Sequence, residues 1–212
     1  MLITRISKRK SGRGRYSVYV DGSPAFEVSE TVLVKTGLRA NESIDEQQLA
    51  SVKAAETDNE ARTIAVNYLS YRPRSANEVI QHLVRKGIPR ETAEPLVRHF
   101  ESIGLINNLE FARMFVRDRL RRKPTGRALV RNLLGSKGIS PAVIDRVLKE
   151  TITDEDQTTA ARELAARRLR LTKRSMAGLD LRKQQQRITG YLLRHGFSSE
   201  IVQRTIRSLF RP

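Results

Sequence analysis

The chain has 212 residues, with 40 Lys and Arg against 23 Asp and Glu, a net charge of +17 and no cysteine. That balance makes an anionic partner the default expectation, nucleic acid first, and it excludes disulfides, a thiolate nucleophile and a Cys-based zinc site. There is no run of about 18 apolar residues to span a bilayer, and the opening MLITRISKRK is basic without an apolar signal core, so a soluble, cytoplasmic protein with no membrane partner is expected.

Aromatic residues make up only 5% of the chain, with no Trp, which favours helices over a sheet sandwich. The first stretch differs from the rest. ITRIS and YSVYVDGSPAFEV alternate apolar and polar residues and are punctuated by SGRG and DG, so a small antiparallel sheet or hairpin is predicted from about Leu2 to Val28. Ser29 reads as the N-cap of a short helix, SETVLVKT, closed by Gly37, and a second short helix runs from Asp45 towards Lys53.

From about Thr57 to Leu209 every apolar pattern has helical period. In SANEVIQHLVRKG, Ser75 and Glu78 form a capping box, Val79, Leu83 and Val84 an apolar stripe, and Gly87 a left-handed C-cap. The next helix restarts at Pro89, and Pro95 within it predicts a kink or a later start. The same corner recurs at Gly138 and Gly196, 51 and then 58 residues further on. Each Gly has a Leu four residues before it (Leu83, Leu134, Leu192) and an apolar residue after it (Ile88, Ile139, Phe197). A longer basic helix lies upstream of each corner. The predicted fold is therefore mainly α: an N-terminal β element with short helices over 1–56, then three-helix repeats over 57–106, 107–152 and 153–212. Stacked as an elongated, right-handed-type array, the repeats bury their faces within the chain, which suits a monomer.

Three stretches together, YLSYRPRSANEVIQHLVRKG, SIGLINNLEFARMFVRDRL and the repeated Lys-Gly-Ile corner, resemble the RecX family of bacterial regulators of the RecA recombinase. The family commonly carries an Asp where this chain has Asn107-Asn108; Asn still caps a helix. The resemblance implies tandem three-helix modules that lodge in the groove of a RecA filament on single-stranded DNA and modulate, chiefly inhibit, its ATP hydrolysis, strand exchange and extension. Homologous recombination, DNA repair and the SOS response are the implied setting.

Candidate contacts are cationic. On a helical wheel Phe111, Ala112, Phe115, Val116 and Leu120 share one arc, with Arg113, Arg117 and Arg121 opposite. Such a row can follow phosphates or acidic protein surface, and Arg119, Arg122, Lys123, Arg127 and Arg131 thicken it. A second cluster holds Arg162, Arg167, Arg168, Arg170, Lys173 and Arg174; a third, with Arg9, Lys10, Arg13 and Arg15, sits on the predicted hairpin. Arg72 and Arg74 flank Pro73 in a capped helix break that is a corner or a contact. Five scattered Tyr are too few for a base-stacking surface, so contact would be to backbone charge and would weaken with salt. His82, His99 and His195 lie singly among helical residues. With no phosphate-binding loop, no HExxH and no nucleophile with a base, neither enzyme activity, cofactor nor metal is expected. The alternative is an autonomous, largely sequence-independent DNA-binding helical protein, because three helices around a Gly corner also describe helix-turn-helix domains; the helices after the corners, RETAEPLVRHF and PAVIDRVLKE, carry few base-reading side chains.

Overall fold

A computed structural model describes residues 1–9, 14–173 and 178–210. They fall into two compact units: one holds residues 1–73 and 79–105, the other 74–78 and 106–212.

The first unit opens with an antiparallel meander of β1 (Ile3–Lys8), β2 (Arg15–Val20) and β3 (Ser23–Ser29). Asp21 and Gly22, both at positive φ (49° and 85°), make the tight turn between β2 and β3 that the DG pair predicts. One face of the sheet supplies Ile3, Val18 and Val28, which pack with Val32, Ile44 and Val52 into a small core. Ser29 caps α1 (Glu30–Thr36) by accepting from the Val32 N–H, and Gly37 ends it at φ 67°.

The short helix expected from Asp45 towards Lys53 does not stop there; α2 is one helix, Glu46–Ser70, opened by a capping box between Asp45 and Gln48. The acidic run ETDNE, which resembles a helix start, lies in its middle. Glu56 of that run is held inside: it accepts from the Ser29 N–H and hydroxyl (2.8 Å each) and from Arg15 (3.0 Å), tying the helix to the sheet. Ala61 and Ala65 on α2 are fully buried, their small side chains admitting the close approach of α4 (Arg90–Ser102). Pro95 sits inside α4 and does not delay its start. Helix α3 (Ala76–Arg85) completes this three-helix set, burying Val79 and Leu83 with Ile88, Val97 and Phe100.

The second unit contains two further sets. In one, α5 (Asn108–Arg122), α6 (Arg127–Ser136) and α7 (Pro141–Thr151) enclose Phe111, Val116, Val130, Leu134, Ile139 and Val147. In the other, α8 (Asp154–Leu171), α9 (Leu181–Arg194) and α10 (Ser199–Leu209) enclose Leu164, Ala165, Ile188, Leu192, Phe197 and Val202. Thr153 and Asp156 form a capping box at the start of α8, as TDEDQ suggests.

The three Gly corners are one motif. Gly87, Gly138 and Gly196 have φ of 89°, 74° and 83°. The residue after each donates its N–H five residues back (Ile88 to Leu83, Ile139 to Leu134, Phe197 to Leu192), and each Gly N–H bonds three residues back. These are the paired bonds of a Schellman C-cap, in which the residue after the Gly and the Leu at the sixth position make the closing apolar contact. All six of those side chains are buried. The Leu…Gly-apolar signature is therefore a helix-ending device written three times.

Candidate functional site

The electrostatic asymmetry between the units locates the site. The first unit carries 15 Lys and Arg against 12 Asp and Glu, a net of +3; the second carries 25 against 11, a net of +14. Almost all the excess positive charge thus rides on α5 to α10 and their connections, and there the cations divide by what they touch.

The Arg row of α5 does not form a uniform face. Arg113 is gripped by two carboxylates, Glu110 one turn back (2.5 Å) and Glu150 on α7 (2.9 Å), with its side chain 24% exposed. Its hydrogen bonds to Glu110 and then Glu150 push its pKa up, and those donated by Arg146 and then Arg113 hold the Glu150 carboxyl below its ordinary range. Arg113 is a strut between α5 and α7. Arg117 is exposed and has no ion pair among the described residues, whereas Arg121 and Arg122 lie beside Asp118 (3.1 and 4.0 Å). Lys123 is exposed at the end of the helix.

Arg127 and Arg131 are likewise engaged inside the fold. Arg127 pairs with Asp154 (2.6 Å) and donates to the Ile152 carbonyl, while its backbone N–H is taken by Gln157 (3.0 Å). Arg131 pairs with Asp145 of α7. In the first unit Arg9 and Arg15 are held by Glu27 and Glu56, Arg72 bonds the Pro73 carbonyl, and Arg74, assigned to the second unit, is half-buried. Lys10, Arg13 and Arg174 lie outside the described residues.

Helix α8 is different. Arg162, Arg167, Arg170 and Lys173 are all exposed and make no ion pair among the described residues. At 100° per residue Arg162 and Arg170 are about 80° apart around the helix and about 12 Å apart along its axis, and Lys173 follows just beyond the C-cap residue Thr172. These cations form an exposed edge with no ion pair among the described residues, and Glu163 is exposed on the same side of the helix. Arg168 turns aside, its guanidinium 5.0 Å from the Tyr191 ring. Arg182, Arg187 and Arg194 on α9 add to the charge of this unit, a contribution visible in a charge count by module but not in the helical wheel of α5.

Polar joints set the stage for these faces. At the start of α3, Ser75 is fully buried, caps Glu78 N–H (3.1 Å) and donates its hydroxyl to the Lys137 carbonyl (2.8 Å); Asn108 accepts from the Ala76 N–H (3.0 Å). Neighbouring Asn107 caps α5, its side chain accepting from Leu109 and Glu110 N–H. At the start of α6, Gly126 donates its N–H to the His195 carbonyl (2.8 Å) and Ala128 to Gly196 (3.0 Å). Among the described residues no group of three His, Cys, Asp or Glu could hold a metal ion, and no helix is long and apolar enough to cross a membrane.

Comparison with known proteins now bears on this arrangement. Sequence profiles of one family match along the chain in order: the regulatory protein RecX N-terminal domain over 1–45, and the first, second and third RecX three-helix domains over 61–99, 107–148 and 154–206. Regulatory protein RecX of Levilactobacillus brevis is 32% identical over 208 residues, 98% of this chain and 76% of the relative. The chain belongs to the RecX family. RecX of Lactobacillus gasseri is 30% identical over 209 residues, covering 98% of this chain and 74% of that one. A crystal structure of regulatory protein RecX superposes with a TM-score of 0.74 at 30% identity over 96% of this chain and 98% of that one. RecX from Lactobacillus salivarius gives 0.63 at 27% identity over 73% of this chain and 97% of that one. The RecX three-helix domains coincide with the three helix sets above, the first beginning within α2 at residue 61. The relatives are regulators by name.

Proposed function

We propose that this RecX-family chain regulates RecA without catalysis or cofactor. It binds the RecA filament on single-stranded DNA as a cytoplasmic monomer, lies along the filament groove, and restrains the protomer rearrangements that accompany ATP turnover, so that hydrolysis, strand exchange and filament extension are inhibited. The observation that carries this reading is the row of exposed α8 cations that make no ion pair among the described residues, on a unit of net charge +14, in a chain whose relatives are RecX regulators. Guanidinium groups with no internal carboxylate are available to phosphate or to acidic protein surface, whereas Arg113, Arg127 and Arg131 are committed to the chain's own fold.

The test is RecA ATP hydrolysis on single-stranded DNA as the chain is titrated in at constant salt. Suppression well below one chain per RecA identifies blocked filament growth; suppression only near saturation identifies occupancy along the groove. No effect up to excess, with DNA binding intact, would sink the RecA reading and leave a basic DNA-binding helical protein.

A further inference from the structure

Two of the three Gly corners are occupied within the second unit, each by the first turn of another helix, one joined through a side-chain hydroxyl and an ion pair and the other through backbone N–H groups. At Gly138 the first turn of α3 sits on the corner: Ser75 donates to the Lys137 carbonyl, the Lys137 ammonium pairs with Glu78 (2.7 Å), and Asn77 lies so close that a methyl on Gly138 would fall 2.5 Å from its Cβ. At Gly196 the first turn of α6 does likewise, Gly126 donating to the His195 carbonyl and Leu129 lying 2.2 Å from where a Gly196 side chain would be. Lys137 and His195 are the C-cap residues of their helices; Gly126 is the N-cap of α6, and Ser75 takes that position before α3 by accepting from the Glu78 N–H. The rule of the joint is a small N-cap residue donating to a C-cap carbonyl beside a bare Gly.

The third corner, Lys86-Gly87-Ile88, has the same internal bonds and the same left-handed Gly. Lys86 and Gly87 are exposed, and among the described residues their carbonyls accept no hydrogen bond and no atom lies within 4 Å of where a Gly87 side chain would be. We propose that this corner is a socket for the N-terminus of a RecA helix that carries Ser, Thr or Gly at its N-cap and a carboxylate at its third helical position. The carboxylate would pair with Lys86 as Glu78 pairs with Lys137. The inference rests on the RecA reading above and assigns it a second contact, remote in sequence from α8.

A second copy of the chain is a poor occupant. The helix equivalent to α3 and α6 is α9, whose N-cap is Asp180 and whose first turn is Leu181, Arg182 and Lys183. It sets a bulky Arg where Asn77 and Ala128 stand, and a Lys where the carboxylate must face Lys86.

The experiment uses fluorescence anisotropy of the labelled full chain with RecA filaments assembled on single-stranded DNA, comparing wild type with Gly87→Asn and Lys86→Glu. Asn tolerates left-handed backbone and has open space here, so Gly87→Asn should keep the fold by circular dichroism while filling the socket. Each substitution is expected to weaken filament binding about tenfold, as removal of a central anchor does, and Lys86→Arg to retain it. Wild-type binding with both variants unchanged overturns the socket and leaves the RecA reading standing; absence of wild-type binding overturns both. Concentration-dependent dimers of the wild type that both variants abolish would make a second copy the occupant and overturn the RecA assignment. Should Gly87→Asn unfold, Lys86→Glu decides alone.

Discussion

Gly126 and Gly196 meet backbone to backbone: a methyl group on Gly126 would lie 2.0 Å from the Gly196 carbonyl carbon. Gly126 has an ordinary φ of −76°, so its missing side chain reflects contact and not conformation. Gly126→Ala should therefore destabilise the chain by roughly 1–3 kcal/mol through overpacking of the joint, read by urea denaturation. Gly135, in the same helix pair but exposed and with open space around it, should do the opposite. Gly135→Ala is expected to stabilise by about 0.5–1 kcal/mol by reducing the freedom of the unfolded chain. Equal signs for the two substitutions would contradict the joint.

Ser75 performs two tasks with one hydroxyl, accepting from the Glu78 N–H and donating to the Lys137 carbonyl while fully buried. Ser75→Ala removes an N-cap and leaves a buried carbonyl without its donor, an expected loss of about 2 kcal/mol in a thermal or chemical melt. A cost within a few tenths would show the hydroxyl to be dispensable.

Much of this was legible from residue order. The Leu…Gly-apolar spacing announces a Schellman cap because the motif is local, every bond closing within six residues. The Ser75 capping box and the α5 apolar arc followed from the same short-range chemistry. What covers each corner was not legible, since Gly126 and Gly196 are brought together only by packing. The ion pairs were hidden for the same reason: the wheel places Arg113 opposite Phe111 but does not reveal Glu150, 37 residues on. The break expected near Lys53 failed because Glu56 looks like a helix-start acid, and its partners Arg15 and Ser29 come from the sheet.

The Arg113 strut makes a pH prediction. The Glu150 carboxyl titrates below its ordinary value in the folded chain, chiefly through the Arg146 hydrogen bond and then that of Arg113. Its stabilising contribution is present above the unfolded carboxyl pKa of about 4.3 and is lost as pH falls through the depressed folded value. Wild type should melt higher than Glu150→Gln above pH 5, with the two curves converging as acid is added. A difference in Tm that does not narrow towards pH 3 would contradict the strut.

Charge reversal separates the two basic helices. Arg113→Glu should lower Tm, because it sets a carboxylate between Glu110 and Glu150. The triple reversal R162E/R170E/K173E touches no internal ion pair among the described residues and should leave Tm nearly unchanged.

The decisive measurement is filament affinity of wild type and that triple variant, by co-sedimentation with RecA on single-stranded DNA across a salt series. The account predicts wild-type binding that weakens as salt rises, and a loss of at least about tenfold for the triple variant at low salt, as the removal of several charge contacts implies. Binding that ignores salt and is the same for both proteins would contradict it.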